Sequence, residues 1–402
     1  MQDKTGVSHS TPGRWARLWT GGALVALSLS GCAVTDAMGI YWEGALPKLP
    51  QLSAEELALQ SVARHDAALQ EALTNWQDSD DASACTACVA PVQRFAEHAA
   101  QRVERVGGVW DPWPGGVPSN APTLEALAIP APEVSALVEQ AITSAVVDLR
   151  LATQAQPETR RLVGAAAGGR IADALSLAGA AGLESEQLDA WFQSGGAQQL
   201  PQDFTADDEG TSEPAATLAP LPTALASVTP TPPSPAASPT PLPESAHRPL
   251  ARAIRDWDCV QDLLPRWAAA PDSEGGPAAS EVSARLQVDD LANTIATLLA
   301  HEVPDQRLGS CTAHFSDYLE DAAPEGSNAQ ILSALENRLA ATNLELFVAL
   351  PQLQLANLDS ARGLPLAAEQ LARGVQFWAK VSGPENVPAL VGLVAEVEVT
   401  GS

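Results

Sequence analysis

The sequence predicts an all-α protein built from helical bundles. Alanine and leucine dominate the composition and β-branched runs are few, which favours helix over strand. Apolar residues recur at spacings of three and four through most of the chain. Capping residues, prolines and glycines mark the ends of these periodic segments. The three observations together predict helices connected by loops.

The first predicted helix starts at a capping box formed by Ser53 and Glu56. One face of this helix is apolar, and it is carried by Val62, Leu69, Leu73 and Trp76. A second helix is expected from about Cys85 to Val106, where two consecutive glycines, Gly107 and Gly108, end it. The two segments predict an amphipathic helical pair.

Three more helices are expected in the N-terminal half. Prolines open the first two, at about 132–153 and 157–181, and a short one follows near 184–193. A loop rich in Trp, Pro and Gly at 109–118 precedes them. Helical periodicity returns later in the chain and predicts helices at about 249–269, 279–302, 311–322, 329–350 and 366–381. The apolar, β-branched stretch 388–400 is consistent with a strand or a packed extended tail.

Residues 203–248 differ in composition from both flanks. They are rich in Pro, Ser, Thr and Ala and have no apolar period, which predicts a disordered or polyproline-like linker. The alternative is a long insertion between helices of one domain, because long loops cost little extra closure entropy. The predicted organisation places helical units at 53–202 and 249–402, on either side of this segment.

The first thirty-two residues have the pattern of an export signal. Arg14 and Arg17 precede an apolar run of about a dozen residues, 18–29, which is too short to cross a bilayer core of roughly 30 Å. The run ends in Ser30-Gly31-Cys32, and this ending resembles the lipobox of bacterial lipoproteins. The resemblance implies lipidation of Cys32 and removal of the signal peptide 1–31. The glycines and prolines of the following segment predict a tether at 32–52. An ordinary signal peptide with a coincidental cysteine is the alternative.

The predicted location is therefore the outer side of a bacterial cell membrane, where the lipid on Cys32 anchors the protein. Two acyl chains hold a protein well, whereas one gives only marginal binding. The formal net charge of −27 repels phosphate backbones, so nucleic acid is not expected as a partner. Besides the membrane, a protein of the cell envelope is the expected partner.

Four further cysteines fit an oxidising compartment: Cys85, Cys88, Cys259 and Cys311. An even number in an exported chain predicts two structural disulfides, and the sequence leaves three pairings open. A redox dithiol at Cys85 and Cys88 is one alternative. The other is a zinc site that joins Cys85, Cys88 and Cys311 to His314.

Histidines and tryptophans supply the remaining candidate sites. His65 lies on the apolar face of its helix and His98 lies at the edge of its apolar stripe, so both are expected as core groups, with metal binding as the alternative. Trp110 and Trp113 could bind a small ligand, but a loop that folds back over the end of a bundle is favoured. No P-loop, Gly-x-Ser-x-Gly or His-Glu-x-x-His signature occurs in the sequence.

Residues 281–381 carry a second resemblance. Its motifs are Ala313-His314 with Asp317 and Leu319, then Leu332-x-x-Leu-Glu-x-Arg-Leu339, then Leu371-Ala-Arg-x-Val-x-x-Trp378. They resemble a ferritin-like domain of uncharacterised lipoproteins from high-GC Gram-positive bacteria. The resemblance implies an up-down helical bundle and no established activity. Asp289-Asp290 stands where the family pattern has a Glu-His pair in the first helix.

The predicted function is that of a membrane-anchored cell-envelope lipoprotein with a non-catalytic structural or interaction role, without a cofactor. The two alternatives are a ferritin-like metal-binding oxidoreductase and a small-ligand binding module that uses the loop of Trp110 and Trp113.

Overall fold

The computed structural model confirms the all-α prediction. It describes residues 49, 51–118, 121–122, 124–204, 241–268, 288–311, 328–353, 364–381 and 387–393. Within these ranges the chain forms ten α-helices and a short 3₁₀ turn, and no strand. The predicted linker at 203–248 and the helix at 311–322 fall mostly outside the described residues, as does Cys32.

Six helices lie in the N-terminal half: α1 (Ala54–Gln77), α2 (Asp80–Ala84), α3 (Val89–Arg105), α4 (Val134–Ala152), α5 (Pro157–Ala181) and α6 (Ser185–Ala197). Four follow in the C-terminal half: α7 (Glu244–Ala268), α8 (Val288–Ala300), α9 (Asn328–Ala349) and α10 (Leu366–Val381).

Several helix ends follow from local chemistry. The capping box is present, because the Ser53 hydroxyl accepts from the Glu56 amide at 3.2 Å and the Glu56 carboxylate accepts from the Ser53 amide at 2.8 Å. The second predicted helix starts later than expected, since a 3₁₀ turn at Thr86–Cys88 precedes α3. Helix α7 starts earlier than expected, at Glu244, so Pro249 lies in its second turn.

The chain divides into two compact units. The smaller consists of residues 1–50 and 112–122, and within its described part the Gly116 amide donates to the Trp113 carbonyl at 2.8 Å. The larger consists of residues 51–111 and 123–402 and contains all ten of the described helices. Both predicted helical stretches therefore contribute to one unit.

Four helices of the larger unit form a closed ring. Helix α1 packs on α3, α3 on α5, α5 on α4, and α4 on α1. The connection from α4 to α5 is short, α1 and α3 are joined through α2 and the 3₁₀ turn, and the connection from α3 to α4 is long. A four-helix bundle with one long crossover has this pattern of connections.

Helix α5 is shared by the two halves of the chain. Besides α3 and α4 it contacts α9 and α10 of the C-terminal half, and α7 in turn packs on α9. Small residues on α5 make this close packing feasible. Ideal Cβ atoms at Gly164 and Gly168 would lie 2.9 Å from Leu344 and 3.4 Å from Val391, respectively. The ion pair between Arg161 and Glu345 adds a polar contact between α5 and α9.

The segment 387–393 lies against the same helix. The Val391 amide donates to the Ala165 carbonyl at 3.1 Å, and the backbone of Ala389 approaches Gly169. The described part of the predicted strand or extended tail is thus an irregular packed segment, and α5 is covered from several sides.

The structure joins Cys85 to Cys88 and Cys259 to Cys311. This is the local pairing among the three that the sequence leaves open. The second bridge ties α7 to the residues that follow α8, and both of its cysteines are buried.

Replacement of Gly169 by alanine is expected to destabilise the protein, because the new Cβ would overlap the Ala389 carbonyl. Overpacking of this kind costs about 1–3 kcal/mol. Gly179→Ala is the matched control, since it lies on the same helix with open space around it and should stabilise by up to about 1 kcal/mol. Urea unfolding measures both variants. Equal effects of the two substitutions would contradict the close approach of residues 387–393.

Candidate functional site

A chain of buried charges crosses the four-helix ring, and Asp66 of α1 is at its centre. One carboxylate oxygen of Asp66 accepts from Arg102 Nε at 2.9 Å and from Arg170 Nε at 3.1 Å. The other oxygen accepts from Arg170 Nη2 at 2.7 Å. All three side chains are fully buried. One carboxylate therefore holds two guanidiniums that come from α3 and α5.

Each of the two arginines also binds a second aspartate. Arg170 Nη1 donates to Asp148 of α4 at 2.6 Å, and Arg102 Nη1 donates to Asp173 of α5 at 2.8 Å. Both of these carboxylates are buried as well. The sequence of contacts therefore alternates in sign: aspartate, arginine, aspartate, arginine, aspartate.

A histidine ends the chain of contacts on each side. His65 Nδ1 lies 3.0 Å from Asp148 Oδ1, and His98 Nδ1 lies 2.8 Å from Asp173 Oδ1. The side chains of His65 and His98 are 26% and 14% exposed, so the two imidazoles connect the core to solvent. We refer to these seven residues as the ionic network: His65, Asp66, His98, Arg102, Asp148, Arg170 and Asp173.

The ring of helices places the two histidines at opposite edges. His65 and Asp148 join α1 to α4, whereas His98 and Asp173 join α3 to α5. Because these helix pairs form opposite sides of the ring, the ionic network spans the bundle from side to side. Every helix of the ring contributes at least one member.

The charges of the ionic network shift the pKa values of Asp148 and Arg170. Burial raises the pKa of the Asp148 carboxyl, but His65 and Arg170 outweigh burial and hold that pKa below its ordinary value. A hydrogen bond from the Ser61 hydroxyl, at 2.6 Å, acts in the same direction. Burial lowers the pKa of Arg170, yet Asp66 and Asp148 overcome this and raise it.

The ionic network also reaches the C-terminal half. Arg102 Nη1 lies 3.4 Å from the carbonyl oxygen of Ala389, in the segment that packs on α5. A second polar cluster lies within that half: the buried Asp256 accepts from Thr342 at 2.7 Å, and Trp257 donates to Asn343 at 2.8 Å. The two halves therefore share a polar contact as well as an apolar interface.

The structure gives each candidate histidine its own partner. His65 and His98 are part of one network, but each contacts a different aspartate and the two arginines lie between them. His314 lies outside the described residues. Among the described residues, no group of three or more His, Cys, Asp or Glu side chains is arranged to hold a metal ion.

The carboxylates of the ionic network do not fit the metal centre that ferritin-like proteins imply. Such centres use glutamates and Glu-x-x-His pairs that point into the bundle. Here Asp66, Asp148 and Asp173 each bind a guanidinium, and a guanidinium cannot ligate a cation. The one Glu-x-x-His spacing of the sequence, Glu244 to His247, starts α7, and its glutamate is exposed.

The two tryptophans of the loop at 109–118, Trp110 and Trp113, differ in exposure. Trp113 is 9% exposed, whereas Trp110 is half-buried. The Trp110 amide donates to Gln60 Oε1 at 2.6 Å, and Gln60 Nε2 donates to the Gly108 carbonyl at 3.1 Å. Gln60 thus fixes the start of the loop to α1, at positive-φ glycines that end α3.

Sequence reasoning missed the five charged residues of the ionic network. Asp66 occupies the apolar stripe of α1 between Val62 and Leu69, and Arg102 follows Phe95 and Ala99 at helical spacing on α3. Charged residues on apolar stripes of neighbouring helices are the signal, because such residues are rarely buried without partners.

Comparisons with known proteins find no matching family model, no matching curated protein and no matching solved structure. None of the helices in the described residues has the length and apolar character that a membrane crossing requires.

Replacement of Asp148 by asparagine tests the electrostatics of the ionic network. The folded-state pKa of Asp148 lies below its unfolded value. Its stabilising contribution is therefore fully present above the unfolded pKa and is lost as the pH falls through the folded pKa. At pH 7 the variant should be less stable by about 3–5 kcal/mol, since it removes the carboxylate charge that pairs with the buried Arg170 guanidinium.

Urea unfolding from pH 7 to about pH 3 follows the difference in stability between wild type and Asp148→Asn. This difference should shrink as the pH falls below about 4. The exposed Glu71→Gln on α1 is the control and should change stability by no more than about 0.5 kcal/mol. A difference that stays constant across this pH range would refute the assignment of the shift to Asp148.

Proposed function

We propose that this chain is a membrane-anchored cell-envelope lipoprotein whose helices have a structural or interaction role without catalysis of their own. The observation that carries the proposal is the sequence from Arg14 to Cys32. It combines positive charge, a short apolar run and small residues directly before a cysteine.

The four cysteines that follow support an extracytoplasmic location. They form two disulfides, Cys85–Cys88 and Cys259–Cys311. Disulfides persist in oxidising environments outside the cytoplasm and are rare within it. The strongly acidic composition is compatible with this setting, where solubility beside an anionic envelope is useful.

The ionic network supports a role that does not depend on catalysis. Its three aspartates are committed to Arg102 and Arg170, and its members are contributed by all four helices of the ring. Breaking one such buried pair costs several kcal/mol, so the network favours a single arrangement of the helices. A fixed helical body on a lipid anchor suits the presentation of a surface to envelope partners.

Lipidation at Cys32 is tested by expression of the full chain in a bacterium that is fed an alkyne analogue of a fatty acid. Wild type should incorporate the label, partition into the detergent phase and begin at Cys32 by mass spectrometry, because two acyl chains hold it in the membrane. Cys32→Ala should lose the label and the partitioning.

The double variant Cys259→Ala/Cys311→Ala is the control, since it removes two other cysteines and keeps Cys32. It should remain labelled. Equal labelling of Cys32→Ala and wild type, or an N-terminus elsewhere in the mature protein, would contradict the proposal.

A further inference from the structure

The two disulfides differ in what surrounds them. Cys259 and Cys311 are 0% and 3% exposed and lie 52 residues apart in sequence. Cys85 and Cys88 are three residues apart, and only Cys88 is fully buried, whereas Cys85 is partly exposed. One bridge is therefore enclosed by the core, and the other joins a buried cysteine to a partly exposed one, whose Sγ lies 4.0 Å from the Ala180 carbonyl oxygen.

The short bridge contributes less to stability than the long one. A disulfide stabilises a fold mainly because it restricts the unfolded chain, and this effect grows with the length of the loop that it closes. The Cys85–Cys88 bridge closes the smaller loop by far. Stabilisation of the fold by this short bridge therefore does not by itself explain why cysteines occupy positions 85 and 88.

The position of Cys88 suits a leaving group in disulfide exchange. Cys88 is the N-cap residue of the 17-residue helix α3, and no side-chain hydrogen bond caps this helix. The first turn of α3 carries no acidic residue. A thiolate at this position would be stabilised by the positive end of the helix dipole.

The surroundings of Cys85 permit the approach of another chain. Thr86 and Ala87, between the two cysteines, are both exposed. Asp80 and Asp81 of α2 precede the motif and oppose an incoming thiolate, but both are on the surface, where salt screens them. Cys85 is therefore the residue of the pair that another chain can approach, because Cys88 is fully buried.

We infer that Cys85–Cys88 is an exchange site for thiols of other exported proteins. The partner's thiolate attacks Sγ of Cys85 and forms a mixed disulfide, while the Cys85–Cys88 bond breaks and Cys88 leaves as a thiolate. The interaction role of the protein would then include covalent capture of a partner through Cys85.

The mixed disulfide can be resolved in two ways. In the first, Cys88 attacks Sγ of Cys85, which re-forms the bridge and releases the partner's thiolate. In the second, another thiolate of the partner attacks the partner's own sulfur and releases Cys85 as a thiolate. In the second case the partner gains a disulfide bond and the chain is left with two thiols, so the partner's dithiol is oxidised and Cys85–Cys88 is reduced. Another disulfide-bearing molecule restores the bridge by the reverse exchange.

The test equilibrates the purified full-length chain with mixtures of reduced and oxidised glutathione. Free thiols are alkylated and assigned by peptide mass spectrometry. Cys85–Cys88 should be half reduced at a thiol-to-disulfide ratio at least about tenfold lower than the ratio that reduces Cys259–Cys311. Reduction of both bridges at one common ratio, together with loss of the helical circular dichroism signal, would overturn the inference.

Single variants identify the reacting sulfur. Cys88→Ser should hold glutathione on Cys85 as a stable mixed disulfide, whereas Cys85→Ser should leave Cys88 unmodified without denaturant. Cys259→Ser is the matched control, and its partner Cys311 should also stay unmodified because it is buried. Absence of glutathione on Cys85 in folded Cys88→Ser would overturn the inference, and the wild-type titration decides it if that variant does not fold.

The inference goes beyond the proposed function and does not require the lipid anchor. Exchange is measured on purified protein, while lipidation is measured in cells through Cys32. A chain that fails one of these tests can still pass the other, so the two failures are distinguishable.

Discussion

The double ion pair of Asp66 with Arg102 and Arg170 is the contact on which the rest of the structure depends. Removing charges from water is costly, and the cost is recovered only when opposite charges meet in good geometry. Asp66 meets both guanidiniums at 2.7–3.1 Å with all three side chains buried. These contacts fix the register of α1, α3 and α5, and Asp148 adds α4 through Arg170.

Helix α5 connects this polar centre to the C-terminal half. Its charged residues Arg170 and Asp173 belong to the ionic network. Its glycines allow α9, α10 and residues 387–393 to pack closely against it, and these glycines are Gly164, Gly168 and Gly169. A longer side chain at these glycines would push the second half away. Since one helix serves both purposes, the charges and the small residues of α5 together specify a single helical body.

The sequence predicted local features well and long-range ones poorly. The capping box at Ser53 and the proline that opens α5 are signals within a few residues, and α1 and α5 begin where these signals indicate. The helical periodicity is also a local signal, although α3 begins later and α7 begins earlier than it indicates. The ionic network joins residues that are 36 and 104 positions apart, so no local period identifies the partners of Asp66. The sequence indicates His65 and His98 as candidates, but it does not identify Arg102 and Arg170 as the groups that link them, because their partners lie on other helices.

A double-mutant cycle between Asp66 and Arg170 tests the central role of this contact most directly. Urea unfolding at pH 7 would be measured for Asp66→Asn, Arg170→Gln and the double variant. The exposed pair Arg161 and Glu345, with side chains 41% and 47% exposed, serves as the reference and should couple by about 0.2–1 kcal/mol. A coupling of about 1.5–3 kcal/mol between Asp66 and Arg170 is predicted. A coupling no larger than that of the exposed pair would contradict the account.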